Sequence, residues 1–170
     1  MAKNERAKIV MTPDEVAGFL ERSRTATVAS IGPDGMPHLV AMWYGIIGNA
    51  VYLETKAKSQ KAVNLRRDPR MVFMVEAGTS YDTLRGVSLE GEAAIIEQAD
   101  GDEYWAAARS VYERYTGPYS DDARPILDFM MNKRIVVKLV PGRIRSWDHR
   151  KLGMAPIGTT GSTAASIGSE

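Results

Sequence analysis

The chain has 170 residues, a formal net charge of +1 at pH 7 and a hydrophobic content of 44%. This length suits one domain with one core, and the small charge argues against a dedicated nucleic-acid binder, which normally carries a clear basic excess. Because there is no cysteine, disulfides and thiolate metal sites are excluded. The charged first ten residues and the lack of any apolar run near ~20 residues predict no signal peptide and no membrane span. We therefore expect a cytoplasmic protein.

The first predicted element is a helix. The run Thr12-Pro13-Asp14-Glu15 combines an N-cap threonine, a proline at the first helical position and a glutamate three residues after the cap. This helix is expected to end near Ser23. Three strands are then predicted over residues 25–31, 37–47 and 50–55. Since tight turns join them, we predict an antiparallel meander.

The rest of the chain alternates between strands and short helices. The expected elements are helices over residues 57–67, 100–115 and 124–131 and strands over residues 70–76, 84–96, 133–140 and 143–147. Gly86 and Gly91 inside one strand predict bulges or close approaches. Six or seven short strands with peripheral helices predict a mainly β protein with a barrel over residues 1–152, followed by a low-complexity tail over residues 153–170.

Positive charge is concentrated near the middle of the chain. Between Lys56 and Arg70 there are six basic residues and one acidic residue, whereas residues 92–128 carry nine acids and three bases. The segment from Thr55 to Asn64 lies where a strand gives way to a helix, and a helix N-terminus suits a phosphate. Ser59 is placed to cap this helix or to contact an anion. The same residues also suit a solvated basic helix, and no glycine-rich phosphate loop is present.

Other side chains carry weaker signals. The only two histidines are His38 and His149, so we predict no metal site, and His38 is expected to face solvent or a partner chain. On a strand, Trp43 would lie on one face and Met42 with Tyr44 on the other. Those side chains suit either a planar ring or ordinary core packing.

Four segments in order carry a family resemblance. They are residues 26–38, the pattern Thr55-x-x-x-Ser59-x-Lys61-x-x-Asn64-Leu65 with residues 68–70, residues 91–93, and Arg145-Ser146-Trp147-Asp148-His149-Arg150-Lys151-Leu152. Over residues 12–152 the chain resembles the split β-barrel flavin-binding superfamily that includes pyridoxamine 5′-phosphate oxidase. It resembles more closely the flavin/deazaflavin oxidoreductases of actinobacteria, in particular the B group that binds coenzyme F420.

The resemblance implies a split barrel, a homodimer and two cofactor sites at the subunit interface. It implies that the strand-to-helix segment holds the cofactor phosphate and that Trp147 and Arg150 reach the cofactor bound mainly by the other subunit. The full set of expected cofactor-binding residues is Met42, Trp43, Tyr44, Thr55, Lys56, Lys58, Ser59, Gln60, Lys61, Asn64, Trp147 and Arg150.

The implied activity is a reductase that moves a hydride from reduced coenzyme F420 to an activated double bond of a quinone, an enoate or a tetrapyrrole. Solvent, Tyr44 or Tyr81 would supply the proton. Lys56 and Lys58 are additional to the pattern of the pyridoxamine 5′-phosphate oxidases. Their charge favours F420, with its long acidic tail, over FMN. The alternatives are an F420 carrier without turnover and an FMN enzyme of the same fold. Vitamin B6 oxidation is not expected, because Lys151-Leu152 is followed by Gly153 and not by a second phosphate-binding arginine.

Overall fold

A computed structural model describes residues 5–158 of the chain. Its helices are α1 (Glu5–Ile9), α2 (Pro13–Arg22), α3 (Gln60–Arg67), α4 (Asp102–Tyr115) and α5 (Arg124–Met131), with short 3-10 helices at Gln98–Asp100, Asp121–Ala123 and His149–Leu152. Its strands are β1 (Ala26–Ile31), β2 (Pro37–Met42), β3 (Gly45–Ile47), β4 (Ala50–Lys56), β5 (Arg70–Ala77), β6 (Arg85–Ile96), β7 (Arg134–Leu139) and β8 (Arg143–Asp148). Residues 159–170, which form most of the predicted tail, lie outside the described residues.

Helix α2 begins as its sequence predicts. Thr12 Oγ1 accepts the Glu15 N–H at 3.3 Å, and the Glu15 carboxylate accepts the Thr12 N–H at 2.7 Å. This reciprocal capping box satisfies two backbone donors that the helix leaves unpaired. Helix α3 begins later than predicted, at Gln60, because Ser59 is its N-cap residue.

The strand predicted over residues 37–47 is wrong, since two separate strands occupy it. The chain leaves β2 at Trp43 because Tyr44 turns into the core, where it is fully buried. The Tyr44 N–H donates to Tyr115 Oη at 3.0 Å and its own hydroxyl donates to the Leu20 carbonyl at 2.6 Å. As a result β2 and β3 lie at opposite ends of the sheet, and the predicted three-stranded meander does not form.

All strand pairs are antiparallel, in the order β2-β1-β5-β6-β7-β4-β3, with β8 also paired to β6. Strand β6 is long enough to pair with β7 through residues 93–96 and with β8 through residues 85–90. The register shifts by one residue between these two pairings, which is a bulge at residues 140–142. A Cβ at Gly91 would lie 3.0 Å from the Val140 carbonyl oxygen, so the close approach predicted at Gly91 is confirmed.

The curled sheet encloses one core and carries a second on its outer surface. Val28, Phe73 and Leu89 belong to the inner core. Helices α4 and α5 cover the outer face of β4 and β7, where Tyr104 and Leu127 are buried. The mainly β split barrel predicted from the sequence is therefore confirmed. Within residues 5–158, no helix combines the length and the apolar character needed to cross a membrane.

Candidate functional site

Three polar side chains converge where β4 meets α3. Thr55 is the penultimate residue of β4 and is 3% exposed. Its Oγ1 lies 2.9 Å from Ser59 Oγ and accepts a hydrogen bond from Lys61 Nζ at 3.0 Å. The junction therefore brings the Ser59 hydroxyl and the Lys61 ammonium group within hydrogen-bond distance of the same Thr55 hydroxyl.

The first turn of α3 adds backbone donors to this junction. Ser59 Oγ accepts the Ala62 N–H at 3.3 Å, and the Ser59 carbonyl accepts the Val63 N–H at 3.0 Å. The two N–H groups that precede them, those of Gln60 and Lys61, lie at the positive end of the helix. Ser59 thus caps the helix while its hydroxyl stays beside Thr55 and Lys61, so the cap role and the anion-site role are compatible.

Asn64 fixes the helix against the barrel. It is fully buried, its Nδ2 donates to Ser30 Oγ at 3.1 Å and its Oδ1 accepts from Gln60 Nε2 at 2.8 Å. Asn64 therefore orients the first turn of α3.

His38 belongs to the same region, which the sequence did not indicate. It pairs with Ser30 across β2 and β1, so the two residues share the face that Asn64 contacts. His38 is half-buried, and its Nδ1 is buried without a hydrogen-bond partner among residues 5–158. His38 is therefore only partly exposed to solvent, and its predicted position toward a partner chain stays a prediction. Ser30 and His38 were missed because their contacts join residues far apart in the chain.

The three lysines of the segment differ in their surroundings. Burial and, secondarily, the positive charge of Arg134 lower the pKa of Lys61 below its ordinary value. Lys56 donates through Nζ to the Asn132 carbonyl at 2.8 Å. Lys58 is exposed. Lys61 is thus the inner cation of the site, and Lys58 is available to a longer ligand.

A buried carboxyl precedes Thr55 on β4 and lies on the opposite face of the strand. Glu54 is only 8% exposed, and burial raises its pKa to about 7 while the Arg134 charge acts in the opposite direction. Among the described residues, neither Glu54 Oε1 nor Arg134 Nε has a hydrogen-bond partner. Because it faces the outer core, this carboxyl is not one of the groups at the junction. Sequence reasoning missed both residues, because their positions on β4 and β7 resemble ordinary strand residues.

The predicted aromatic residues fall into different environments. Trp43 is 57% exposed and stacks on Tyr115 with ring centroids 4.4 Å apart. Burial raises the pKa of Tyr44 to about 12, and its hydroxyl is held on the Leu20 carbonyl. Met42 ends β2 and packs against the inner core. Trp43 therefore offers an exposed ring, whereas Tyr44 is part of the core.

Trp147, Arg150 and Tyr81 form a second group near the end of β8. Trp147 lies against Gly86, where a Cβ would come within 2.3 Å of its ring, so the close approach predicted at Gly86 is confirmed. The Arg150 guanidinium makes two bonds to the Asp148 carboxylate at 2.8 and 2.5 Å. Tyr81 is 55% exposed and its ring lies 4.4 Å from that of His149.

Comparison with known proteins gives matches along most of the chain. Residues 12–148 match the sequence model of the pyridoxamine 5′-phosphate oxidase family. A pyridoxine/pyridoxamine 5′-phosphate oxidase from Kineococcus radiotolerans is 27% identical over 94 residues, which are 55% of this chain and 41% of that protein.

Two solved structures are similar to this chain over a larger part of its length. The conserved hypothetical protein Rv2991 from Mycobacterium tuberculosis is 58% identical, with a TM-score of 0.88 over 94% of this chain and 98% of that one. A protein described as an F420 reductase is 24% identical, with a TM-score of 0.56 over 78% of this chain and 98% of that one. At that identity the second likeness concerns the fold alone.

Proposed function

Because the chain belongs to the pyridoxamine 5′-phosphate oxidase family, we propose that it is a reductase that uses coenzyme F420 to reduce an activated double bond in a small molecule. The observation that carries this proposal is the junction of β4 and α3, where Ser59 Oγ and Lys61 Nζ both lie within hydrogen-bond distance of Thr55 Oγ1. Hydroxyls, an ammonium group and a helix N-terminus are the groups that bind a phosphate.

The ion pairs around this junction leave it positive. Arg66 pairs with Glu97 at 2.9 Å and Arg70 with Asp68 at 2.6 Å, whereas Lys61 bonds to a neutral hydroxyl and Lys56 to a carbonyl. An anionic ligand would therefore gain partners here without displacing a carboxylate. The surplus charge of Lys56 and Lys58 favours the acidic tail of F420 over the single phosphate of FMN.

The residues of the proposed site contact different parts of the cofactor. Thr55, Ser59, Lys61 and the first N–H groups of α3 hold the phosphate, and Lys58 contacts the acidic tail. When bound, reduced F420 supplies a hydride from its C5 to the substrate. The exposed ring of Trp43 and the side chain of Met42 border the ring system and exclude water from it.

In the proposed dimer, residues near the end of β8 contribute to the cofactor site of the other subunit. Trp147 of the partner subunit and Arg150 of the partner subunit complete each site, and the two bonds from Arg150 to Asp148 keep that side chain oriented. The substrate proton comes from solvent or from Tyr81, whose ring is exposed. Tyr44 is assigned to the core, since its hydroxyl is held on Leu20.

A turnover assay tests the proposal. Reduced F420 is mixed with the purified chain and a panel of a quinone, an enoate and a tetrapyrrole, and its re-oxidation is followed by absorbance. We expect re-oxidation with at least one acceptor and its loss in the Lys61→Met variant. Tight binding without turnover across the panel would identify a carrier instead. A protein that purifies yellow with a flavin band would identify an FMN enzyme.

A further inference from the structure

A large cavity lies in the split of the barrel, away from the junction of β4 and α3. Its volume is about 1000 Å³, and its walls come from α2, the β3–β4 hairpin and β8. None of the residues from Thr55 to Asn64 lines it. A small-molecule site typically occupies 300–1,000 Å³, so this cavity is large enough to enclose a ligand.

The cavity exists because the sheet divides here. After the bulge at residues 140–142, β8 stays paired with β6, while β7 pairs with β4 on the other side of the gap. Two hydroxyl groups near the gap already have partners. Ser110 Oγ accepts the Ile46 N–H and donates to the Ile46 carbonyl, both at 3.1 Å, and Ser146 Oγ accepts the Met11 N–H at 3.0 Å. An occupant would therefore meet mainly apolar surface.

Apolar side chains make up most of the lining, from the floor of the cavity to its mouth. Val16, Val51 and Leu89 are buried at the floor, while Val10 and Ile144 are 50% and 52% exposed. Covering two large, half-exposed apolar side chains favours binding of an apolar molecule.

Charge is arranged asymmetrically around the mouth. Arg6 and Arg145 belong to the lining on the side of α1 and β8, and Arg145 Nη1 lies 3.1 Å from the Glu90 carboxylate. At the α2 side, Glu21 is paired with Arg114 at 3.0 Å. Arg6, which has no ion pair among the described residues, would attract an anionic head group, and Arg145 would contact that group while it stays beside Glu90.

We propose that this cavity binds an elongated apolar molecule with one anionic head group, its chain between α2 and the β3–β4 hairpin and its head at Arg6 and Arg145. The C-terminal segment of the chain does not suit this space, because residues 159–170 contain a single large apolar residue, Ile167. A deep, apolar cavity with cations at one side suits a small amphiphile better than a polar peptide.

Calorimetric titration of the full-length, cofactor-free chain with octanoate, decanoate and dodecanoate tests the proposal. Each added methylene that is buried should tighten binding roughly fourfold. Dodecanol should bind about tenfold more weakly than dodecanoate, because it lacks the charge that the arginines contact. In an Arg6→Gln/Arg145→Gln double variant, dodecanol and dodecanoate should bind with equal affinity. Failure of every fatty acid to bind, or affinities independent of chain length, would overturn the proposal.

Substitutions locate the site. Ile144→Asp should weaken dodecanoate binding at least tenfold, whereas Ile126→Asp, at 53% exposure on α5, should leave it unchanged. Ala17→Trp, which fills the cavity from an exposed position on α2, should also abolish binding if Ile144→Asp does not fold. Equal effects of Ile144→Asp and Ile126→Asp would contradict this location.

If Ile144→Asp changed the sedimentation mass and not the affinity, the cavity would be an interface between copies. Because no F420 is present, the outcome is independent of the proposed reductase activity.

Discussion

At the scale of single residues, Glu54 makes the stability of the chain depend on pH. Its pKa rises from the ordinary 4.5 to about 7 in the folded chain because burial disfavours the carboxylate. A raised acid pKa means that the folded state binds a proton more tightly than the unfolded state. The carboxyl therefore destabilises the fold progressively as pH rises from about 4.5 to 7.

Replacing Glu54 by glutamine should remove this pH dependence. Relative to Glu54→Gln, the wild-type chain should lose on the order of 3 kcal/mol of unfolding free energy between pH 4.5 and pH 8. Urea unfolding of both proteins across that range measures the difference. The exposed Glu113→Gln on α4 is the control and should follow the wild type. A constant difference between wild type and Glu54→Gln would contradict the raised pKa.

Substitutions at two lysines distinguish binding of the cofactor phosphate from binding of the acidic tail of F420. Lys61→Met should weaken binding of both FMN and F420 by tenfold or more, because a charge-assisted hydrogen bond contributes about 1.5 to 3 kcal/mol. Lys58→Gln should weaken F420 binding by about fivefold and leave FMN nearly unchanged, since this side chain is exposed. Arg124→Gln, which removes an exposed charge on α5, is the control for both titrations. An equal effect of Lys58→Gln on the two cofactors would contradict the tail assignment.

At the scale of elements, the pairing of β6 with β8 depends on one glycine. A Cβ at Gly86 would lie 2.3 Å from the Trp147 ring, whereas at Gly142 the nearest atom would be 3.8 Å away. Gly86→Ala should therefore destabilise the fold by about 1 to 3 kcal/mol, because the indole must shift, and Gly142→Ala should have a much smaller effect. Thermal unfolding of both variants measures this. A Gly86→Ala variant as stable as Gly142→Ala would contradict the close packing of Trp147.

Local patterns predicted most elements, and long-range contacts explain the errors. The start of α2 was predictable because its capping box involves residues three apart. The break between β2 and β3 was not, because Tyr44 is drawn inward by Tyr115, 71 residues later. The same division holds at the site. That Thr55, Ser59 and Lys61 lie together was predictable because they are close in sequence, while Ser30, His38 and Arg134 lie on other strands that only the fold brings near.

At the scale of the whole molecule, the outer face of β2, β1 and β5 would form the predicted dimer interface. Leu39 and Val72 on this face are 61% and 37% exposed, and helices α4 and α5 cover the opposite sheet. We propose that a second copy packs here, as the family resemblance implies. Burial of these side chains would stabilise the pair.

A charge on this face should prevent dimerisation. Val72→Arg should shift the sedimentation mass from dimer to monomer, because it would bury an unpaired cation at the interface. Phe129→Arg replaces a side chain that is 81% exposed on α5 and should leave the dimer intact. A dimeric Val72→Arg variant that is folded would place the interface elsewhere.

Direct titration of the wild-type chain with oxidised F420 and with FMN tests the central claim most directly. It measures whether the cations beside α3 select a long acidic tail, and it requires no knowledge of the substrate. We predict tighter binding of F420 than of FMN, with the advantage reduced in Lys58→Gln. Equal or tighter binding of FMN would contradict the assignment of F420.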